Sequence, residues 1–477
     1  MEQKKWGFWL LSAFVIGNMV GSGIFMLPST LAQMASPMGA ASAWLVTGLG
    51  VLMIAFVFGN LSMRKPELTG GPQSYAKAMF KSEKTGKVAG FSMVWGYWVA
   101  NWISNVAIIT SFAGYLSTFL PVMKDPAVLF TIGSQDFEKG RLLTFAVCTI
   151  LLWGTHTILV NNLNAAGRLN FAATASKVIG FMLFIGAALF AFQGASTGEW
   201  YFDVQSAAGE PQGLFKQVQL AAVSTLWAFV GIESAVILSG RARSQADVKK
   251  ATIFGLFVAL TIYMITTLLT MGVIPREELM QSDKPFVDVL SLFIGDGGGI
   301  AMAVLALISL FGSTLGWILM SSEVAYQAAK SGIFPAAFGK NNKKGSPVVS
   351  LTITNIMSQL FIFSVISGTI SEAYTFLTTS ATLAYLIPYL VSSIYYLKLV
   401  INGETFNEIK GSRLREGTIA SLALLYSVYV IISGTSDLKT FFLGIGLFLV
   451  GFIVYPLLNR NKKSEGRKLE TDTETLK

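Results

Sequence analysis

The 477-residue sequence predicts an all-α membrane protein of twelve transmembrane helices. Three observations point that way. Hydrophobic residues form 53% of the chain and charged residues only 13%, where a soluble domain carries about a quarter charged. Apolar stretches of the roughly 20 residues needed to cross a hydrocarbon core recur from end to end. The polar connections between them are alternately rich and poor in lysine and arginine. Length alone would accommodate two or three soluble domains, and this composition excludes them.

In chain order the spans are 7–30, 40–62, 88–118, 142–160, 170–192, 217–239, 251–274, 298–328, 349–368, 374–397, 417–434 and 439–458. The head before the first, Met1–Trp6, is too short for a cleaved signal peptide and the apolar run too long, so this span is read as retained. With the N-terminus inside, the connections 63–87, 161–169, 240–250, 329–348 and 398–416 and the two termini hold 27 of the 35 basic residues. The outer connections hold seven, and Lys177 lies within span five. The bias gives a multi-pass protein with both termini cytoplasmic. The formal charge of +9 is therefore topogenic, with some attraction to anionic lipid, and does not indicate nucleic acid. Residues 1–192 and 217–397 form two five-helix halves, and 417–458 add two helices. Residues 459–477, of mixed charge without apolar periodicity, are expected to be a disordered tail.

The chemistry is bounded by scarcity. One cysteine, Cys148, and one histidine, His156, allow no internal disulfide, no Cys/His zinc site and no Cys–His pair. A membrane enzyme would need a nucleophile with its base, or a metal cluster, at one depth. None is expected, nor is a cofactor.

Two spans carry glycine-rich interruptions. Span one reads Gly17-Asn18-Met19-Val20-Gly21-Ser22-Gly23-Ile24-Phe25 and span six Trp227-Ala228-Phe229-Val230-Gly231-Ile232-Glu233-Ser234. They occupy equivalent places in the two halves. Paired breaks of this kind mark a transporter's substrate site near the midplane, because unwound backbone at that depth is tolerated only where it lines a cavity. Bared N–H groups at a helix start suit a carboxylate, and freed carbonyls suit an ammonium. Together they fit an α-amino acid. The same glycines also suit close helix packing, Gly17 and Gly21 having the small-xxx-small spacing.

Three charges lie well inside spans, where each is a functional candidate: Lys177, Glu233 and Glu323. Glu233 follows the second break directly. It can sense a substrate cation, carry a proton or serve as a structural carboxylate. Glu323 can line an inner exit path or form an ion pair. Lys177 can replace a coupling sodium ion, carry a proton, or pair with one of the glutamates. In span three, Tyr97, Asn101 and Asn105 share one face at i, i+4 and i+8, offering oxygen acceptors to a cationic side chain or hydrogen bonds to a neighbouring helix. Trp227 and Trp317 can stack on a guanidinium or ammonium, or simply pack.

Gly21-Ser22-Gly23-Ile24-Phe25 combined with Phe229-Val230-Gly231-Ile232-Glu233-Ser234 resembles the amino acid–polyamine–organocation superfamily. Thr225-Leu226-Trp227, Gly316-Trp317 and Ala329-Lys330-Ser331-Gly332-Ile333-Phe334-Pro335 extend the resemblance to nearly the whole chain. It is nearest to the bacterial basic amino acid/polyamine antiporters, which exchange arginine for ornithine, arginine for agmatine or lysine for cadaverine. The resemblance implies a LeuT-like 5+5 inverted repeat with helices 1 and 6 broken, two peripheral helices, and alternating access. It implies that Ser22 and Gly23 bind a carboxylate, with Asn18, Met19, Gly21 and Ile24 in the same pocket. Trp227 closes over the substrate, and carbonyls around Ala228 and Val230 take its ammonium. Asn101, Asn105 and Trp317 surround the distal cation. Tyr97, Glu233 and Tyr389 form the cytoplasmic gate.

Departures refine the substrate. Arginine–agmatine exchangers have a small residue in place of Asn101, serines in place of Ala228 and Ala381, a glutamine near Glu323, and no span-five lysine. Lys177 resembles instead the lysine of proton-coupled permeases and of arginine–ornithine exchangers. The expected function is a carrier of arginine, ornithine or lysine in a bacterial cytoplasmic membrane. The alternative is a proton-coupled symporter of neutral amino acids. The expected partners are the amino acid and the bilayer, and whether protons are coupled, as symport rather than strict exchange would require, is left open. Whether two copies form a homodimer is left open.

Overall fold

The computed structural model describes residues 6–456, apart from 22, 69–70, 134, 192–203, 206–210, 238, 240–241, 331, 368–369, 435–437, 439–440, 443–444, 448 and 454. The helices are α1 Phe8–Met19, α2 Gly23–Met34, α3 Pro37–Arg64, α4 Pro72–Ala78, α5 Glu83–Leu116, α6 Lys139–Asn161, α7 Leu163–Ala191, α8 Leu214–Ala228, α9 Ser234–Ile237, α10 Gln245–Met271, α11 Arg276–Gln281, α12 Pro285–Ile294, α13 Asp296–Lys330, α14 Val348–Ile362, α15 Ser364–Ser367, α16 Ile370–Asn402 and α17 Arg413–Gly434.

Eight helices among the described residues are long and apolar enough to cross a membrane, and α1 with α2 makes a ninth span bent by 45°. Predicted span five is α7, whose apolar stretch runs Ser176–Phe190. Span six is α8 and the single turn of α9, with the turn 229–233 between them. The predicted twelfth span, 439–458, is interrupted by residues outside the described set. The tail 459–477 lies wholly outside it.

Boundaries follow local chemistry. Ser36 caps α3, its hydroxyl accepting from the Gly39 N–H at 2.9 Å, and Pro37 occupies the first turn where no N–H is needed. Ser82 caps α5 and Ser244 caps α10 in the same way. The connections are less plain than the sequence implies. Val128–Ile132 (β1) and Gln135–Glu138 (β2) form an antiparallel hairpin, with Phe130 opposite Phe137. Val204–Gln205 (β3) pairs with Pro211–Gln212 (β4). These strands and α4, α11 and α12 are too short to register as spans, α12 although it is apolar.

Packing repeats between the halves. α3 packs on α10, α5 on α13, and α6 on α14, each pair of helices starting 208–213 residues apart. The cross-contacts match as well: α1 lies on α10 as α8 lies on α3, and α7 lies on α13 as α16 lies on α5. The broken helices are thus flanked by long continuous ones, which cover the backbone groups they release.

Close packing by glycine is real but not at Gly17, where a Cβ would meet nothing within 4 Å. It occurs at Gly50 of α3, against which the Tyr426 ring of α17 is seated so closely that any Cβ would overlap it. Tyr426 is itself buried. Gly50→Val should therefore cost about 1–3 kcal/mol through overpacking and lower the thermal unfolding midpoint of the purified protein. Gly17→Ala, inside α1 with open space around it, should leave that midpoint unchanged or raise it slightly, as scanning fluorimetry in detergent would reveal.

Candidate functional site

The site begins where α1 stops. Val20 caps α1, its N–H reaching the Ile16 carbonyl at 2.8 Å, and Gly21 turns back onto the Met19 carbonyl at 2.6 Å. α2 starts afresh at Gly23. A restarted helix presents up to four unpaired N–H groups and the positive end of its dipole. Ser22 lies outside the described residues.

The second break is a run of tight turns. Phe229, Val230 and Ile232 donate their N–H groups to carbonyls three residues back, those of Leu226, Trp227 and Phe229. Gly231 sits at φ +108, a conformation side-chain-bearing residues rarely adopt. A Cβ there would also stand 3.2 Å from the Asn18 backbone and side chain. Backbone geometry and contact thus both require glycine, and they press the two breaks together. Asn18 Nδ2 donates to the Ser234 hydroxyl at 2.8 Å, joining one break to the other.

Tyr263 of α10 completes the junction. Its hydroxyl lies 2.5 Å from the Met19 carbonyl oxygen and 2.7 Å from that of Ala228. A phenol has one proton to donate, so the terminal carbonyls of α1 and α8 share it. The Tyr263 ring is fixed by stacking on Trp44 at 5.1 Å and by the edge of Phe229 at 5.4 Å. Sequence reasoning missed Tyr263, because tyrosines in spans are common and nothing in its own segment marks it.

A narrow cavity lies between the breaks. Asn18, Met19, Gly21, Gly23, Trp227, Ala228, Val230 and Trp317 line it, all of them expected from the sequence. Ser104 and Ile108 of α5 line it too and were not foreseen. They extend the face begun by Tyr97 and Asn101 by one and two turns. Trp227 is laid flat against Gly23, where any Cβ would strike its ring, and it meets Tyr374 edge-on at 5.6 Å. Tyr374 in turn donates to the Gly23 carbonyl at 3.3 Å. Trp317 flanks the other wall beside Gly21. Ile24 is buried beside the restart without lining the cavity.

Glu233, in the second break, is fully buried and does not line the cavity. Its carboxylate accepts from the Tyr97 hydroxyl at 2.7 Å, the Tyr389 hydroxyl at 2.7 Å and the Gly231 N–H at 3.1 Å. One side chain thus ties α5 and α16 to the second break. Ser104 leads from the cavity toward this cluster: it donates to Tyr385 at 3.4 Å, and the Tyr385 ring packs edge-on against Tyr97 at 5.2 Å.

Other expected residues stand apart. Asn101 Nδ2 donates to the Tyr97 carbonyl one turn back at 2.6 Å, and Asn105 Nδ2 donates across to Ser321 of α13 at 3.1 Å. Neither lines the cavity. Glu323 is half-exposed and accepts from Gln327 on its own helix at 2.5 Å. Lys177 is buried in α7 and makes no ion pair among the described residues, so it does not partner either glutamate. No group of His, Cys, Asp and Glu that could hold a metal occurs among the described residues.

The fold and site define a multi-pass membrane protein with a narrow cavity between two paired helix breaks. The chain belongs to the amino acid permease family, which it matches over residues 7–456. A Bacillus subtilis protein, provisionally named an arginine/ornithine antiporter, is 66% identical over 98% of this chain and 99% of its own. The arginine/ornithine antiporter of Pseudomonas aeruginosa is 34% identical over 98% and 92%, and that of Lactococcus lactis 31% over 98% and 87%.

Tyr263→Phe keeps the ring packing and removes the one proton shared by Met19 and Ala228. With a hydrogen bond worth about 1 kcal/mol and a buried acceptor costing more when orphaned, substrate affinity should fall roughly 5- to 20-fold. Calorimetric titration of purified, monodisperse variant protein measures this directly.

Proposed function

We propose that the protein is a secondary carrier that exchanges cationic amino acids, arginine against ornithine foremost, across a bacterial cytoplasmic membrane by alternating access. The observation that carries the reading is the apposition of the two breaks around one cavity, in a chain whose relatives bear the arginine/ornithine antiporter name. The helix start at Gly23, with Ser22, takes the substrate carboxylate. The carbonyls of Ala228 and Val230 take its ammonium, and Asn101, Asn105 and Trp317 meet the distal cation once the substrate has entered. Trp227 closes the outer side, and Tyr97, Glu233 and Tyr389 close the inner side.

The architecture proposed is twelve spans with both termini cytoplasmic, two inverted five-helix repeats (1–192 and 217–397) and two peripheral helices. The matched packing of α3 on α10, α5 on α13 and α6 on α14 supports it. Glu233 couples occupancy to gating: with the site filled, its hydrogen bonds to the two tyrosines must break before α5 and α16 can part from the second break. A second reading, proton-coupled symport of neutral amino acids, draws on Lys177, which is buried and makes no ion pair among the described residues. A fixed charge there can gain and lose a proton during the cycle.

Uptake of labelled arginine into proteoliposomes decides between them. Under the exchange reading, uptake should rise at least tenfold when ornithine is inside and should need no proton gradient. Uptake into empty vesicles driven by a proton gradient, with labelled alanine entering equally well, would transfer the reading to symport. Glu233→Gln should lower the maximal exchange rate by an order of magnitude or more, measured across a range of pH. An unchanged rate would remove Glu233 from gating.

A further inference from the structure

A second buried polar cluster lies beyond the gate and shares helix α16 with it, and the substrate site makes no use of it. Arg64, the last residue of α3, has a side chain only 2% exposed. It engages the Glu416 carboxylate of α17 with two nitrogens, Nε at 2.7 Å and Nη2 at 2.6 Å. Tyr396 of α16 donates to the same carboxylate and accepts from Asn60 Nδ2 of α3 at 2.8 Å. Lys249 of α10 donates to Asn60 Oδ1 at 2.7 Å. The connection from α16 to α17 wraps this cluster. Phe406 lies 3.7 Å from the Arg64 guanidinium, and the Thr405 carbonyl accepts from it at 3.3 Å with Thr405 itself held at φ +69.

The position of the cluster is informative. Tyr389 and Tyr396 are seven residues apart on α16, two turns along one face and about 10 Å from each other. On α3, Phe58 packs edge-on against Tyr389 at 5.5 Å, while Asn60 and Arg64 hold the lower cluster. α3 and α10 lie against the broken helices, and α16 carries the gate tyrosine. The lower cluster therefore bridges the same boundary that Glu233 and Tyr389 close. A buried ion pair is a poor general source of stability, but it is satisfied in one relative position of its helices and costly in others. That property suits a latch.

We propose that Arg64, Glu416 and Tyr396 form an inner clamp, a set of positioning residues that holds α16 against α3 and so keeps Tyr389 on Glu233. Opening toward the cytoplasm requires its release. This rests on the gating reading above but not on which amino acid is carried.

The test uses a cysteine at Ser393, which is buried on α16 between Tyr389 and Tyr396, in a background carrying Cys148→Ala. Its alkylation by a membrane-impermeant maleimide is followed in inside-out vesicles without substrate. Failure of arginine exchange therefore leaves this readout intact. Glu416→Gln and the milder Tyr396→Phe should each speed labelling at least fivefold, and the charge exchange Arg64→Glu with Glu416→Arg should return it toward the parent rate. Arginine affinity should stay within threefold in Tyr396→Phe while its maximal exchange rate falls. A purely structural role would lower thermal stability and leave labelling at the parent rate. That result in folded Tyr396→Phe overturns the clamp, even where Glu416→Gln fails to fold.

Discussion

The structure depends on one constraint: peptide groups released at a helix break, away from water, must find partners within the protein. An unpaired amide or carbonyl in a hydrocarbon setting costs several kcal/mol. Here two breaks are placed back to back, with Gly231 against Asn18 and an Asn18–Ser234 hydrogen bond between them. Tyr263 then serves a carbonyl from each. The result is a small region of polar backbone gathered beside the cavity. In the proposed function a zwitterion completes it, which would make such a junction a binding site rather than a defect.

The same economy explains the gate. A fully buried carboxylate needs donors, and Glu233 draws them from helices that do not belong to either break. The bonds that make its burial tolerable also fasten α5 and α16 to the second break. In the proposed cycle, binding and closure are coupled through these ordinary hydrogen bonds. The extended helix α16 carries this constraint onward to Tyr396, and through it to α3 and α17.

Much of this was legible in the sequence, for particular physical reasons. Glycine clusters inside apolar spans located both breaks within a residue or two, because glycine in a span has few uses. Glu233 announced itself by the cost of burying a charge. The tyrosines of the gate and most of the cavity wall came from a resemblance whose motifs include the breaks themselves. Ser104, Ile108 and Tyr263 were not legible, since a serine, an isoleucine or a tyrosine in a span is unremarkable until its neighbours across the fold are known. The i, i+4, i+8 row on α5 was correct as a face, yet its amides bond to their own helix and to α13, and Ser104 reaches the cavity instead. The lower cluster was hidden for a related reason: Arg64 and Glu416 look like solvated loop charges because their partners lie 352 residues apart.

The central claim is that backbone at the two breaks holds both α-groups of the substrate. Calorimetric binding of arginine, agmatine and Nα-acetylarginine to the same purified protein tests it most directly. Agmatine lacks the carboxylate, and the acetyl derivative lacks the ammonium, while the guanidinium is common to all three. The account predicts that each analogue binds at least 100-fold more weakly than arginine, about 2.7 kcal/mol. Agmatine binding as tightly as arginine would contradict it, and would place recognition at the distal end of the pocket rather than at the breaks.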